Sequence, residues 1–114
     1  MQSQSFIDAT GLAWESPEPG VERQVLAYDS TLMMVRVRFA AGATGALHSH
    51  PHRQVSYVAE GAFEVQIGDE SRVLRSGDSF IIAPDVVHGV VAREAGVLID
   101  VFSPAREEFV AERG

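Results

Sequence analysis

The stretch Gly42-Ala43-Thr44-Gly45-Ala46-Leu47-His48-Ser49-His50-Pro51-His52-Arg53-Gln54, closed by Gly61, decides how this chain is read. Side chains alternate between the two faces of a β-strand, so His48 and His50 point the same way. Imidazole nitrogen is a common ligand for Zn, Ni, Fe and Mn. One strand then supplies two ligands and another must supply the rest. Gly77-Asp78-Ser79-Phe80-Ile81-Ile82-Ala83-Pro84-Asp85-Val86-Val87-His88 is the candidate partner, and all four histidines of the chain fall in these two clusters.

The expectation is one divalent metal per chain, held by His48, His50, Gln54 and His88, with Zn, Ni, Fe and Mn undistinguished. Strict alternation from His48 would also turn His52 inward. Pro51 lacks an amide donor and breaks the ladder there, which places His52 outside the ligand set. Three imidazoles and an amide are all neutral, so the charge of the ion stays uncompensated. Such a site favours Lewis-acid work and an anionic ligand over redox cycling.

Working outward, short apolar runs are punctuated by Gly, Pro, Asp and Ser at a spacing of roughly eight to twelve residues, the pattern of an all-β sandwich or barrel. Arg23 to Tyr28 reads as a strand. In Met33 to Phe39, Val35, Val37 and Phe39 share one face, opposite Met34, Arg36 and Arg38. Gln54–Glu60 and Phe63–Ile67 flank Gly61 as a tight hairpin, and Gly68-Asp69 turns into Arg72–Leu74. Ser79–Ile82 reads as a buried run. His88–Ala92 and Val97–Phe102 read as a last pair joined across Gly96. Ser103 stands where an N-cap belongs and Pro104 at the first helical position, which predicts one short C-terminal helix. The expected organisation is one domain over 1–114: an irregular segment 1–20, a β-barrel 21–102 and a helix 103–112.

Composition narrows the function classes. A chain of 114 residues buries a core without disulfides. It has no cysteine, which removes thiolate chemistry and iron–sulfur clusters, and its nine basic residues are all arginine, which removes Schiff-base lysine catalysis. A net charge of -7 argues against nucleic-acid binding but leaves room for a small anion at a local positive site. No basic-then-apolar leader and no long apolar span is present, so the expected location is the cytoplasm, with no membrane partner.

A second constellation is Asp100, Phe102 and Arg106. Alternation puts Asp100 on one strand face with Leu98 and Phe102, where a carboxylate is out of place unless it has a partner. Arg106, in the first turn of the expected helix, opposes the dipole and therefore needs another reason to be there, such as a carboxylate. Arg36 and Arg38 read as a solvated strand face, Trp14 and Tyr57 as core or interface residues, and Asp78 as a turn residue.

These residues resemble the cupin superfamily. Its first motif is matched by Gly42, His48, His50, Gln54 and Gly61, with Gln in the acidic place, and its second by Gly77 and His88. Ala83, Asp85 and Ala92 depart from it, where the family often has Pro, Gly and Asn. Within the superfamily, Leu32-Met-Met-Val-Arg-Val37, His48–Gln54, Asp85-Val-Val-His-Gly89 and Val97-Leu-Ile-Asp-Val-Phe-Ser-Pro-Ala-Arg-Glu-Glu-Phe109 resemble the KdgF family of pectin and alginate degradation. The similarity runs from about Val21 to Phe109. It implies an all-β jelly-roll barrel, a homodimer, the four ligands above with Gln as the usual fourth, and Asp100, Phe102 and Arg106 as catalytic or substrate residues. The implied activity is conversion of 4,5-unsaturated monouronates into the linear 5-keto-4-deoxyuronate.

Three other classes share part of this pattern. An Fe-dependent dioxygenase would use the same histidines. Another metal-dependent sugar isomerase or epimerase would use the same shell on a different sugar. A non-catalytic sugar-binding module would need only the barrel.

Overall fold

The computed structural model describes residues 1–110 and contains ten strands in two antiparallel sheets. The strands are β1 (Glu15–Glu18), β2 (Val21–Tyr28), β3 (Met33–Phe39), β4 (Thr44–His48), β5 (Arg53–Glu60), β6 (Ala62–Ile67), β7 (Glu70–Arg75), β8 (Ser79–Ile82), β9 (His88–Ala92) and β10 (Gly96–Ser103). The six-stranded sheet runs β1-β2-β3-β10-β5-β8 and the four-stranded sheet β4-β9-β6-β7. Two facing sheets with strands that alternate between them form the jelly-roll barrel. No helix among the described residues is long and apolar enough to cross a membrane.

Period-two patterning drives this arrangement. In β3, Met33, Val35, Val37 and Phe39 are buried while Met34 and Arg38 are exposed, as the alternation predicts. Phe63 and Val65 of β6 face them from the other sheet and, with Leu98 beside them on β10, close the core. Phe39 and Phe63 meet edge to face, ring centroids 5.1 Å apart, a geometry that adds about 1 kcal/mol beyond area burial.

Register places the polar end of the barrel. On the inward rows of the six-stranded sheet, Val58 is opposite Leu98 and Val37 lies beyond it. The next row is Ser56, Asp100 and Val35, and the next Gln54, Phe102 and Met33. In the other sheet, His48 is opposite His88. The inward faces therefore shift from wholly apolar rows to rows carrying Ser56, Asp100 and Gln54, with the His48–His88 pair in the facing sheet.

Several expected elements differ. β5 and β6 are not a hairpin: they lie in different sheets, and Gly61 is where the chain crosses. Its φ is +83°, and a Cβ there would sit 2.6 Å from the Ala95 carbonyl oxygen. Gly96 packs into the same crossing, where a Cβ would meet the Glu60 oxygen at 2.4 Å. β9 and β10 likewise belong to different sheets and do not pair. Ser79–Ile82 is an edge strand in which only Ile82 is buried. Within 1–20, Glu15–Glu18 forms a strand against β2. The expected C-terminal helix is a single 3-10 turn, Glu107–Phe109. Arg106 precedes it with an extended ψ of 89°, so the helix-dipole argument for that arginine does not apply. The end of the expected helix, 111–112, lies outside the described residues.

Candidate metal centre

β4 ends on His48, the connection to β5 carries His50, β5 carries Gln54 and β9 begins on His88. The donor atoms of the three histidines lie within 4.8 Å of one another. Every Nδ1 is committed to the backbone. His48 Nδ1 donates to the Ala46 carbonyl (2.8 Å), His50 Nδ1 to His52 (3.0 Å) and His88 Nδ1 to Val86 (2.8 Å). Those bonds fix each tautomer and leave each Nε2 as the unprotonated nitrogen. His52 contributes its carbonyl to His50 and does not join the group.

Gln54 is oriented as firmly. Asp100 Oδ1 accepts from Ser56 Oγ at 2.6 Å, so Ser56 accepts from Gln54 Nε2, at 2.9 Å. The amide oxygen is thereby turned to His50, 3.0 Å from its Nε2. With Nδ1 protonated, that contact sets a lone pair against a carbonyl oxygen. His88 Nε2 is buried with no hydrogen-bond partner among the described residues. Both features fit a divalent cation, which accepts donation from all of these atoms. Burial holds the His88 pKa down to about 4 and lowers that of His50, with help from the Arg106 charge. Neutral imidazoles are the ligand form.

Asp100 is 9% exposed, and burial raises its pKa to about 6 against the opposing pull of the Ser56 hydrogen bond and Arg106. Phe102 is buried with its ring 5.7 Å from that of His50. The Arg106 guanidinium lies 5.1 Å from the Phe102 centroid and 4.5 Å from that of Phe109, and its Nε donates to Glu108 at 3.2 Å. Its ion-pair carboxylate is thus Glu108, and Asp100 acts on it only through its field. His48, Gln54, His88, Asp100, Phe102 and Arg106 all line one cavity of about 300 Å³, the small end of the range for ligand sites.

Two neighbours of this cavity were missed in the sequence. Ser56 sits on the Gln54 face of β5 by alternation and is completely buried. Arg23 stands between the inward residues Val21 and Val25 and lines the same cavity. For Arg23 the available signal was a polar residue interrupting an apolar row, and for Ser56 a polar residue on the same strand face as Gln54.

Comparison with known proteins agrees with this geometry. Residues 35–102 match the cupin domain family. The pectin degradation protein KdgF of Dickeya dadantii is 46% identical over 107 residues, covering 92% of this chain and 96% of that protein. A crystal structure of an RmlC-like cupin from Shewanella frigidimarina is 46% identical with a TM-score of 0.92, covering 96% of this chain and 98% of the other. KdgF from a Halomonas species is 40% identical with a TM-score of 0.88, over 94% of this chain and 99% of the other. With its histidine cluster on that barrel, the chain belongs to the cupin superfamily and, within it, to the KdgF family of enzymes.

Proposed function

We propose that this enzyme linearises 4,5-unsaturated monouronates to the 5-keto-4-deoxyuronate, using one divalent metal held by His48, His50, Gln54 and His88. The observation that carries the reading is the hydrogen-bonded chain Gln54–Ser56–Asp100, which ties a ligand amide to an inward carboxyl beside Phe102 and Arg106. When bound, the metal supplies Lewis-acid polarisation of substrate oxygen.

The reaction is an isomerisation. The C1 hydroxyl loses its proton, the bond from C1 to the ring oxygen breaks, and C1 becomes an aldehyde. The released enolate takes a proton at C4 and becomes the C5 ketone. One proton moves from oxygen to carbon with no redox change. Asp100 carries it: its raised pKa, about 6, lets the carboxyl both accept and return a proton near neutrality. Arg106 orients the substrate carboxylate, and Phe102 packs on the sugar and excludes water.

The reading includes a homodimer in the cytoplasm. An apolar outer face on the six-stranded sheet supports the dimer. Val55 (44% exposed) lies beside Ile81 (62%) and Val101, and Tyr57 (48%) beside Ile99. A contiguous patch of this kind marks an interface.

The test mixes metal-loaded protein with lyase-generated unsaturated galacturonate and follows the ultraviolet absorbance of the conjugated enol ether, with and without oxygen. Accelerated loss in both, abolished by chelator, is the expected result. No acceleration would reject the assignment. Acceleration only with oxygen would point to a dioxygenase.

A further inference from the structure

We propose that Arg23 is a second substrate-binding cation, and that Arg23 and Arg106 together form the carboxylate seat of the cavity. The inference rests on the uronate reading above and adds to it a residue that none of the family motifs contains.

Arg23 enters from β2, on the inward row that continues from Val37. Its guanidinium lies 3.9 Å from the ring centroid of Phe109, and the Arg106 guanidinium lies 4.5 Å from the same centroid. Two cations thus share one aromatic ring at the wall of the cavity that Asp100, His48 and His88 also line. Both are largely withdrawn from water, with side chains 22% and 13% exposed. Their ion-pair carboxylates lie further out: Glu15 is 36% exposed and Glu108 57%. The Arg23–Glu15 contact is 3.5 Å, at the long limit of a hydrogen bond. Arg23 Nε is buried with no hydrogen-bond partner among the described residues.

Burial lowers the pKa of both guanidiniums and the Arg23 charge lowers that of Arg106 further, with the exposed Glu108 carboxylate opposing the shift on each. A cation–π contact offsets only part of that cost. A carboxylate placed between them relieves the repulsion and offers acceptors to both planar forks. The ligand class is therefore an anionic sugar whose carboxylate sits between the two guanidiniums while its other end reaches the histidines lining the cavity. Neutral sugars lack the group that the pair needs.

The test compares the metal-loaded parent with Arg23→Gln and Arg23→Lys. Turnover of unsaturated galacturonate gives KM and kcat. Calorimetry with saturated galacturonate and with galactose gives binding apart from chemistry. In Arg23→Gln, KM for the uronate and Kd for galacturonate rise at least about 10-fold, as expected for loss of a charge-assisted bond, with kcat and the galactose response unchanged. Arg23→Lys keeps the charge without the planar fork and loses roughly 3- to 10-fold. It stands in as the deciding variant if Arg23→Gln does not fold. Parent-like KM and Kd in the deciding variant overturn the role of Arg23. If the parent itself neither binds galacturonate nor turns over the uronate, the substrate reading fails and this seat fails with it.

Discussion

His50 Nε2 and Gln54 Oε1 face each other at 3.0 Å, with the Nδ1 of that ring already donating to a backbone carbonyl. Two acceptors held this close are stabilised by a cation between them. Ser56 enforces the contact, because its hydroxyl is donated to Asp100 and only the Gln54 nitrogen can reach it. Ser56→Ala therefore frees the amide to rotate. Metal affinity is expected to fall about 10- to 100-fold, the usual effect of losing a group that orients a ligand. The same change removes the hydrogen bond that lowers the Asp100 pKa, so that pKa moves above its present value of about 6. Metal titration and carboxyl NMR of the metal-free protein measure the two effects separately. Parent-like values of both would show that Ser56 orients nothing.

The pH dependence of stability in the metal-free protein follows from two opposed titrations. The His88 pKa is depressed to about 4 from 6.5. As pH falls through that window the unfolded chain takes up the proton first, and stability drops by on the order of 3 kcal/mol. The Asp100 pKa is raised from 3.8 to about 6. Between those values the native state holds the proton more tightly, so acidification restores a similar amount. These two largely cancel in the parent, and the lowered His50 pKa adds to the loss on the His88 side. Asp100→Asn should be more stable than the parent at pH 8 and should lose stability more steeply on acidification from 6.5 to 4. Denaturant midpoints across that range decide it. A variant that tracks the parent at every pH would show that Asp100 is not buried as a charge.

Asp100 and Arg106 separate by kinetics. Asp100→Asn keeps the shape and the acceptor for Ser56 but cannot carry a proton. Turnover should fall by about 10²- to 10⁴-fold, with metal content unchanged. Arg106→Ala should instead raise KM by at least about 10-fold. A parent-like rate in the first, or a parent-like KM in the second, contradicts the corresponding role.

Much of this was legible because strand alternation is a strict rule. Counting in twos puts Val35, Val37 and Phe39 on one strand face, and the same count sets Asp100 with Phe102 and Leu98. Sheet membership was not legible, since Gly61 and Gly96 read locally as hairpin turns. What makes them crossings is contact with each other's strands, a non-local fact. The helix failed for a related reason. Pro104 and good helix formers predict a helix in isolation. In the fold, Ala105, Phe109 and Val110 pack on the barrel core, and the chain follows that contact instead. Asp85 shows a departure with a visible remedy. It takes φ +67° where the family often has glycine, a conformation that aspartate tolerates better than most residues. Arg23 was hidden because a charge between two valines reads as a strand edge unless its partners are known.

The outer face of the six-stranded sheet carries the last prediction. Ile81 is 62% exposed on edge strand β8, beside Val55 in the adjoining strand. Leaving such side chains in water forfeits roughly 1.5 to 3 kcal/mol each relative to full burial. An interface between two copies would recover it on both sides of a two-fold axis. Ile81→Asp would bury a charge in that interface without touching the inner face of the barrel, which β8 contributes to through Ile82. Sedimentation should show a dimer for the parent and a monomer for Ile81→Asp at micromolar concentration, with metal binding retained because no ligand lies on that face. A dimer of undiminished affinity in the variant would place the interface elsewhere, and a monomeric parent would remove the homodimer from the proposed function while leaving its chemistry intact.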